Sequence, residues 1–479
     1  MTIGIQVSSS IRWMAGMRVI SQIFTWAATL IVIRLLSPED YGLMALAGIV
    51  IGLLDILDDM GLASAIIKKK ELTDKFIEQI FGMLILFNIG FYALLYSTAP
   101  LVADFFEDIR LVTIIEVLGL QALIRIFFYI PNAIMRRNMD FRSVSLIRFV
   151  AVLGQSFTIL VLAYLGFGVW SLVYGSLIYT GVQTLGAILT SRYFCKPNFS
   201  FIGIGEALSF GGLITFHRIL YYIYSSSSTA ILGKLAGQKS LGFYSVAMQI
   251  ACLPMDKFMM ILNEVGFSAF STIQDNQQKM NELLCKAVRI LGILVFPVFM
   301  GVSCTAPELV DVLLGEKWTP VAVPLQIISA VMALKMMNIT DPLLFAMGRP
   351  DVGIKALAIG CVIMPIAFYI GAQWGLVGIS LSWLIAYPPY FYISIKIVLS
   401  TIGMKFGTYV REFAYPALFS GIMYLMVILA REIISPLIGN TVLELIMLIF
   451  VGAITYTGLV LAFQRDTAMQ FYSMVRRRQ

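Results

Sequence analysis

RLLSPEDYGLMALA, running from Arg34 to Ala47, and KLAGQKSLGFYSVA, running from Lys234 to Ala247, are the stretches from which the architecture is read. Laid on each other at an offset of 200, they match at Leu35/Leu235, Gly42/Gly242 and Ala47/Ala247, with Arg34 and Lys234 alike in charge. At offset 207, Thr98-Ala99-Pro100 with Asp104 falls on Thr305-Ala306-Pro307 with Asp311. One such match could be chance. Two, in the same order, point to a duplicated chain, and a duplication fixes architecture before any local detail.

Around these stretches the sequence is apolar. Of its 479 residues 59% are apolar and 13% are charged, against roughly 25% charged in soluble domains. That excludes a soluble globular protein of this length, and a disordered chain as well. A spanning helix needs about 20 mostly apolar residues. Charged, Gly and Pro punctuation divides the chain into fourteen segments. They lie near 11–36, 41–67, 76–100, 111–135, 143–165, 168–190, 209–233, 241–267, 280–305, 320–346, 352–373, 375–398, 408–430 and 441–464. Segments 241–267 and 320–346 carry internal charge and proline. Prolines at 131, 254, 297, 342, 365, 388, 389 and 416 predict kinked helices, tolerated where neighbours satisfy the freed carbonyls.

The predicted fold is therefore an all-α polytopic membrane protein of about 14 transmembrane helices. Six spans per repeat give both halves one orientation, a parallel repeat with a substrate site expected between the lobes. The expected organisation is an N-lobe at 1–190 (spans 1–6), a linker at 191–208, a C-lobe at 209–400 (spans 7–12), and spans 13–14 with a basic tail at 401–479. The linker holds Pro197, Asn198 and an amphipathic stretch, and is predicted to lie along the membrane surface.

Charge assigns the sides. The 34 Lys+Arg exceed the 27 Asp+Glu by seven. Alternate loops divide unequally: 20 cations, among them Lys68 to Lys70, Arg136, Arg137, Arg142 and Arg476 to Arg478, lie on one side. The other side has only Arg110, Lys234, Lys239, Lys317 and Arg431, amid acids such as Glu39, Glu107, Asp108 and Glu308. The positive-inside rule puts both termini in the cytoplasm, in a multi-pass protein of the cytoplasmic membrane. The basic excess is then an orientation signal and an anchor near anionic lipid, with no nucleic acid as partner. Five scattered cysteines without a C-x-x-C pair predict neither a disulfide framework nor a metal site. The first apolar segment has no small-residue cleavage site and is expected to be retained.

Ionisable residues inside spans usually face a cavity or a partner. At offset 200, Arg18 in the first span falls on Arg218 in the seventh. Two arginines across a central cavity would suit a phosphate or pyrophosphate, which guanidinium pairs bidentately; Lys257 and Arg289 would extend that cationic surface. Two other readings stay open. The arginines could neutralise nearby acids (Asp55, Asp58 and Asp59 on the second span, Asp256 and Glu264 on the eighth), or snorkel to the interface. Those acids could equally carry a proton or hold Na⁺ as the coupling ion. Ser225 to Ser228 read as a cavity wall or a packing surface. Tyr221, Tyr222 and Tyr224 read as sugar-stacking or core, and His217 as a packed histidine.

Several motifs together carry a family resemblance. They are Arg34-Leu-Leu-Ser-Pro-Glu-Asp-Tyr-Gly42, Gly61-Leu-Ala-Ser-Ala-Ile-Ile-Lys-Lys-Lys-Glu-Leu-Thr73 and Arg136-Arg-Asn-Met-Asp-Phe-Arg142. Further on come Gly166-Phe-Gly-Val-Trp-Ser-Leu172, Leu314-Gly-Glu-Lys-Trp318 and Gly375-Leu-Val-Gly378. In their order and spacing the chain resembles the Wzx-type polysaccharide-transport flippases of the multidrug/oligosaccharidyl-lipid/polysaccharide exporter superfamily, most of all the colanic-acid-exporter-like group. The resemblance implies a two-lobed bundle that alternates between inward- and outward-open states. Its cargo would be undecaprenyl-pyrophosphate-linked oligosaccharide, its partners membrane lipid and a polysaccharide polymerase, and it would need no cofactor. The pyrophosphate would lie in a cationic cavity lined by spans one, two, seven and eight. A multidrug antiporter of the same superfamily is the main alternative. A membrane polysaccharide polymerase or ligase is the other, yet no nucleophile–base pair, metal cluster or phosphate-cradling loop is present, so an enzyme is not expected.

Overall fold

The computed structural model describes residues 25–57, 66, 72–200, 205–272 and 277–464, without the side chains at 54, 55, 57, 205–215, 256–272 and 345. Every regular element among them is helical. In chain order they begin with α1 (Thr25–Leu35), α2 (Pro38–Leu57), α3 (Asp74–Phe106), α4 (Arg110–Arg137), α5 (Phe141–Tyr164) and α6 (Val169–Ser191). There follow α7 (Gly205–Thr272), α8 (Gln277–Cys304), α9 (Ala306–Leu314), a 3₁₀ turn (Glu316–Val321), α10 (Ala322–Lys335) and α11 (Asp341–Ala346). The last four are α12 (Pro350–Ala372), α13 (Gly375–Thr401), α14 (Phe406–Ile434) and α15 (Thr441–Phe463).

Ten helices among the described residues are long and apolar enough to cross a membrane. They coincide with ten of the fourteen segments. The other four segments, 11–36, 41–67, 209–233 and 241–267, each run into residues or side chains outside the described ones. Two boundaries differ from expectation. Segment 320–346 is broken: α10 stops at Lys335, and Pro342 opens the short α11 instead of kinking a long helix. Segments 209–233 and 241–267 run on as α7, whose two arms meet at Gly237 with φ 75° and ψ 175°. Only glycine adopts that conformation without strain.

The helix starts follow from short polar sequences. Ser37-Pro38-Glu39-Asp40 forms a reciprocal cap: the Asp40 N–H donates to Ser37 Oγ at 3.2 Å, and the Ser37 N–H donates to Asp40 Oδ2 at 3.0 Å. Proline at the first helical position surrenders no needed donor. Asp40 has a second role, since its Oδ1 accepts the Val169 N–H at 2.8 Å at the start of α6. The motifs around Ser37 and Gly166 thus lock together across 129 positions. Thr73 caps α3, Asp140 caps α5 after the left-handed Met139, and Asn440 caps α15.

The chain divides into two compact units, Met1–Gly242 and Phe243–Gln479. In the first, α3 packs on α4, and α6 packs on both α4 and α5. Residues 192–200 have no regular structure. They are tied to α3: the Asn198 N–H donates to the Glu78 carbonyl at 2.9 Å, and Gln79 Nε2 donates to the Ser200 carbonyl at 2.5 Å. Tyr193 and Cys195 pack on a core that includes Phe76, Ile80 and Ile130. Burial, then the charge of Glu78, pushes the Cys195 thiol up to about 11, so it stays a neutral thiol. Tyr193 and Cys195 thus face α3, while Phe194 and Phe199 are exposed. A Cβ at Gly82 would overlap the Asn198 carbonyl. We expect Gly82→Leu to free the linker, read as new protease cleavage at 192–200.

In the second unit, α8 packs on α14 and α10, and α12 forms a tight hairpin with α13 in which Gly371 and Gly378 allow backbone contact. The last two helices belong to its core. Phe419, Met423 and Val427 of α14 meet Leu448, Tyr456 and Val460 of α15 beside Cys304. Tyr409 donates to the Met337 carbonyl, and Tyr456 donates to the Ile293 carbonyl at 2.8 Å. Arg431 Nε donates to Glu308 Oε1 at 2.6 Å and Nη2 to Oε2 at 2.9 Å, with Glu308 7% exposed. Arg431→Ala leaves that carboxylate buried alone. A loss of about 3 kcal/mol is expected, read as a lower unfolding temperature in detergent, with Arg431→Lys intermediate.

Candidate substrate site

Of the nine residues read as cavity cations or acids, Arg18, Asp58 and Asp59 lie outside the described residues. Asp55 is on α2, and Asp256, Lys257 and Glu264 are on the second arm of α7, with side chains outside the described ones. Arg218 is exposed on the first arm of α7. Arg289 has a carboxylate partner that sequence distance concealed, Glu412 of α14, 2.6 Å from Nη2. The tyrosines separate by role. Tyr224 is buried, Tyr222 donates to the Gly48 carbonyl of α2 at 3.1 Å, and Tyr221 is exposed. The Ser225 and Ser227 hydroxyls donate back to the carbonyls of Tyr222 and Tyr224, as in close helix packing.

Lys335 was passed over in the sequence. It ends α10, about 20 Å along that helix at 1.5 Å per residue, half-buried with Nζ 5.0 Å from the centroid of the Trp383 ring. Such a cation–π contact is worth about 2 kcal/mol when desolvated. Trp383 is fixed in turn by donating to the Tyr244 hydroxyl at 2.8 Å. The internal charge of segment 320–346 was the available signal.

The most developed polar arrangement within the first unit joins the α2 start and the α3–α4 turn to the α7 break. Lys234 Nζ lies 2.7 Å from Glu107 Oε1, and Arg110 Nη2 donates to Gln238 Oε1 at 2.8 Å. The Gln238 amide donates to Asp108, which also holds Arg110 at 2.7 Å. Beneath these side chains the backbones touch reciprocally. A Cβ built at Gly42 would overlap the Gln238 carbonyl, and one at Gly242 would overlap the Pro38 carbonyl. The two contacts are the same contact moved by 200 positions. Farther along, the Leu46 side chain fills the space beside Gly233.

The carboxylates here are held charged. A hydrogen bond from Lys234, then its charge, keeps Glu107 below its ordinary value. Burial pulls Asp108 upward, but the hydrogen bonds and charge of Arg110, with the Gln238 amide, outweigh it and hold Asp108 low. A carboxylate depressed in the folded state stabilises it above the unfolded pKa, about 4 for Asp. That contribution is lost as pH falls through the depressed value. Hence Asp108→Asn should lower the unfolding temperature at neutral pH, and the gap from the unchanged protein should close only below about pH 4.

Ten helices long and apolar enough to span, joined by short turns, define a multi-pass membrane protein. The chain matches the family described as polysaccharide biosynthesis protein over residues 31–323, and it belongs to that family. The lipopolysaccharide biosynthesis protein WzxC of Escherichia coli (strain K12) is 27% identical over 361 residues, covering 74% of this chain and 72% of the relative. The succinoglycan biosynthesis transport protein ExoT of Rhizobium meliloti (strain 1021) is 23% identical over 455 residues, covering 94% and 91%. Among solved structures, the inward closed conformation of the lipid II flippase MurJ aligns with a TM-score of 0.75 at 16% identity, covering 95% of this chain and 99% of that one. At that identity the likeness establishes the fold.

Proposed function

We propose that the chain is a flippase. It moves undecaprenyl-pyrophosphate-linked oligosaccharide units across the bacterial cytoplasmic membrane for assembly of a surface polysaccharide. The observation that carries this reading is the family match over residues 31–323 on a fold that follows a lipid II flippase nearly end to end. In this reading fourteen spans form two six-helix lobes and a C-terminal pair, with both termini in the cytoplasm. The Glu107–Lys234 end then faces outward, and its contacts close the path on that side. Arg18, Arg218, Lys257 and Arg289 are the cations assigned to the pyrophosphate. The acids Asp55, Asp58, Asp59, Asp256 and Glu264 are assigned to H⁺ or Na⁺ coupling, or to pairing with those cations.

The reciprocal contact at Gly42 and Gly242 supports a pseudo-twofold organisation of the repeats. Deleting the gene should remove surface polymer and accumulate lipid-linked oligosaccharide, with drug tolerance unchanged. Unaltered polymer with increased sensitivity to cationic drugs would favour the multidrug antiporter.

A further inference from the structure

A cavity of about 510 Å³ with two arginines and a carboxylate in its wall lies within the second unit, lined by Arg289 of α8, by Gly407, Thr408, Arg411, Glu412 and Tyr415 of α14, and by Gln464 just after α15. Its size falls in the range of small-ligand pockets, roughly 300–1,000 Å³. We propose that it binds the phosphate-ester headgroup of a membrane lipid.

Three observations carry the assignment. The first is charge. Arg289 Nε donates to Glu412 Oε2 at 2.7 Å, and Nη2 approaches the same oxygen. One carboxylate oxygen therefore occupies two nitrogens of the guanidinium, and the third remains for another acceptor. Arg411 has no carboxylate within ion-pair distance among the described residues. The set Arg289, Arg411 and Glu412 keeps one net positive charge, and a bidentate guanidinium recognises a phosphate.

The second observation is an orphan acceptor. Gln464 Oε1 is buried and has no hydrogen-bond partner among the described residues, an arrangement that costs about 1–3 kcal/mol. Inorganic phosphate can offer its own P–OH but no chain for the flanking surface. A headgroup with a hydroxyl, an ammonium or a monoester P–OH donor satisfies Oε1 and Arg411 together and adds that apolar contact.

The third is the surroundings. Arg411 is the sixth residue of α14, about 8 Å from the helix start, at headgroup depth for a spanning helix. From there α14 exposes Tyr415, Leu418, Ile422 and Leu425, and α15 exposes Leu461 and Phe463. Acyl or prenyl chains lie against such a surface while the headgroup enters the cavity. The inference needs only that the chain spans a membrane, and stands whichever cargo is carried.

The test is direct binding to the full-length protein in detergent, for unchanged protein, Arg411→Gln and Arg411→Lys. The probes are phosphatidylglycerol, a polyprenyl phosphate, phosphatidylcholine and inorganic phosphate. Phosphatidylglycerol or the polyprenyl phosphate should bind at least tenfold more weakly to Arg411→Gln, with part of the loss recovered in Arg411→Lys. Phosphatidylcholine, which lacks a strong donor, should bind weakly to all three. Tighter binding of phosphatidylglycerol marks a resident phospholipid; tighter binding of the polyprenyl phosphate marks a carried lipid. Equal affinity of Arg411→Gln and the unchanged protein would overturn the site. So would inorganic phosphate binding as tightly as the lipids, or phosphatidylcholine matching phosphatidylglycerol. None of these readouts depends on transport, so failure here leaves the flippase reading to its own experiment.

Discussion

Leucine at Gly42 or at Gly242 should abolish surface polysaccharide while leaving the protein in the membrane. At both positions any side chain meets a backbone carbonyl, Gln238 in one case and Pro38 in the other. A carbonyl in a helix start cannot rotate away as a side chain can, so the segments must separate. If this end closes during each cycle, a protein that cannot close it holds one state and carries no cargo. A loss of more than tenfold in polymer is expected, with abundance in the membrane fraction within about twofold. Gly48 is the control, because it is on the same helix and a Cβ added there meets nothing within 4 Å; Gly48→Ala should export normally. The charged layer above the glycines is secondary, since exposed ion pairs contribute little. Full export by both leucine variants would show that the contact is no part of the cycle.

Arginine removal should be nearly as severe. Arg218→Ala and Arg18→Ala are each expected to block surface polymer without lowering protein abundance, and Arg218→Lys should retain part of it. An exposed arginine on a spanning segment is retained against an insertion cost of about 2.5–3.5 kcal/mol. That cost is offset by an anion or a carboxylate. The two are separable: if an acid on the neighbouring span were the partner, removing both charges together should restore export. Normal polymer in both alanine variants would remove these arginines from the substrate site.

How these expectations fared along the chain has a physical pattern. The motifs that carried the family resemblance are joints of the fold. Ser37-Pro38-Glu39-Asp40 is a cap that also ties down α6, and Asp140 starts α5. Gly375 takes φ 67° at the α12–α13 turn, and Trp318 is fully buried edge-on to Phe243. Caps and turns are local, so a sequence displays them. Ten spans were legible for the same reason, since length and hydropathy are properties of one segment.

The candidate site was less legible because hydropathy gives depth along a helix and says little of the face a charge occupies. Arg289 finds Glu412 across 123 positions, and Lys335 finds the face of Trp383. The linker shows a related limit. Its period did not show that Tyr193 and Cys195 would pack on the start of α3. At offset 200, Pro38/Gln238 and Gly42/Gly242 meet as paired equivalents, a contact that three identities alone do not announce.

The place of α14 and α15 in the second unit also bears on how the protein is made. Glu308 and Arg289 each wait 123 residues for the side chain that neutralises them. Until those partners are made both charges are uncompensated, and the Cys304 core lacks its other wall until α15 emerges. A nascent chain that stalls before Arg431 thus presents the insertion machinery with an incomplete, charged bundle. Removing α14 and α15 should therefore unfold the second unit rather than trim it, because it strips one wall of a core and the partners of two charges.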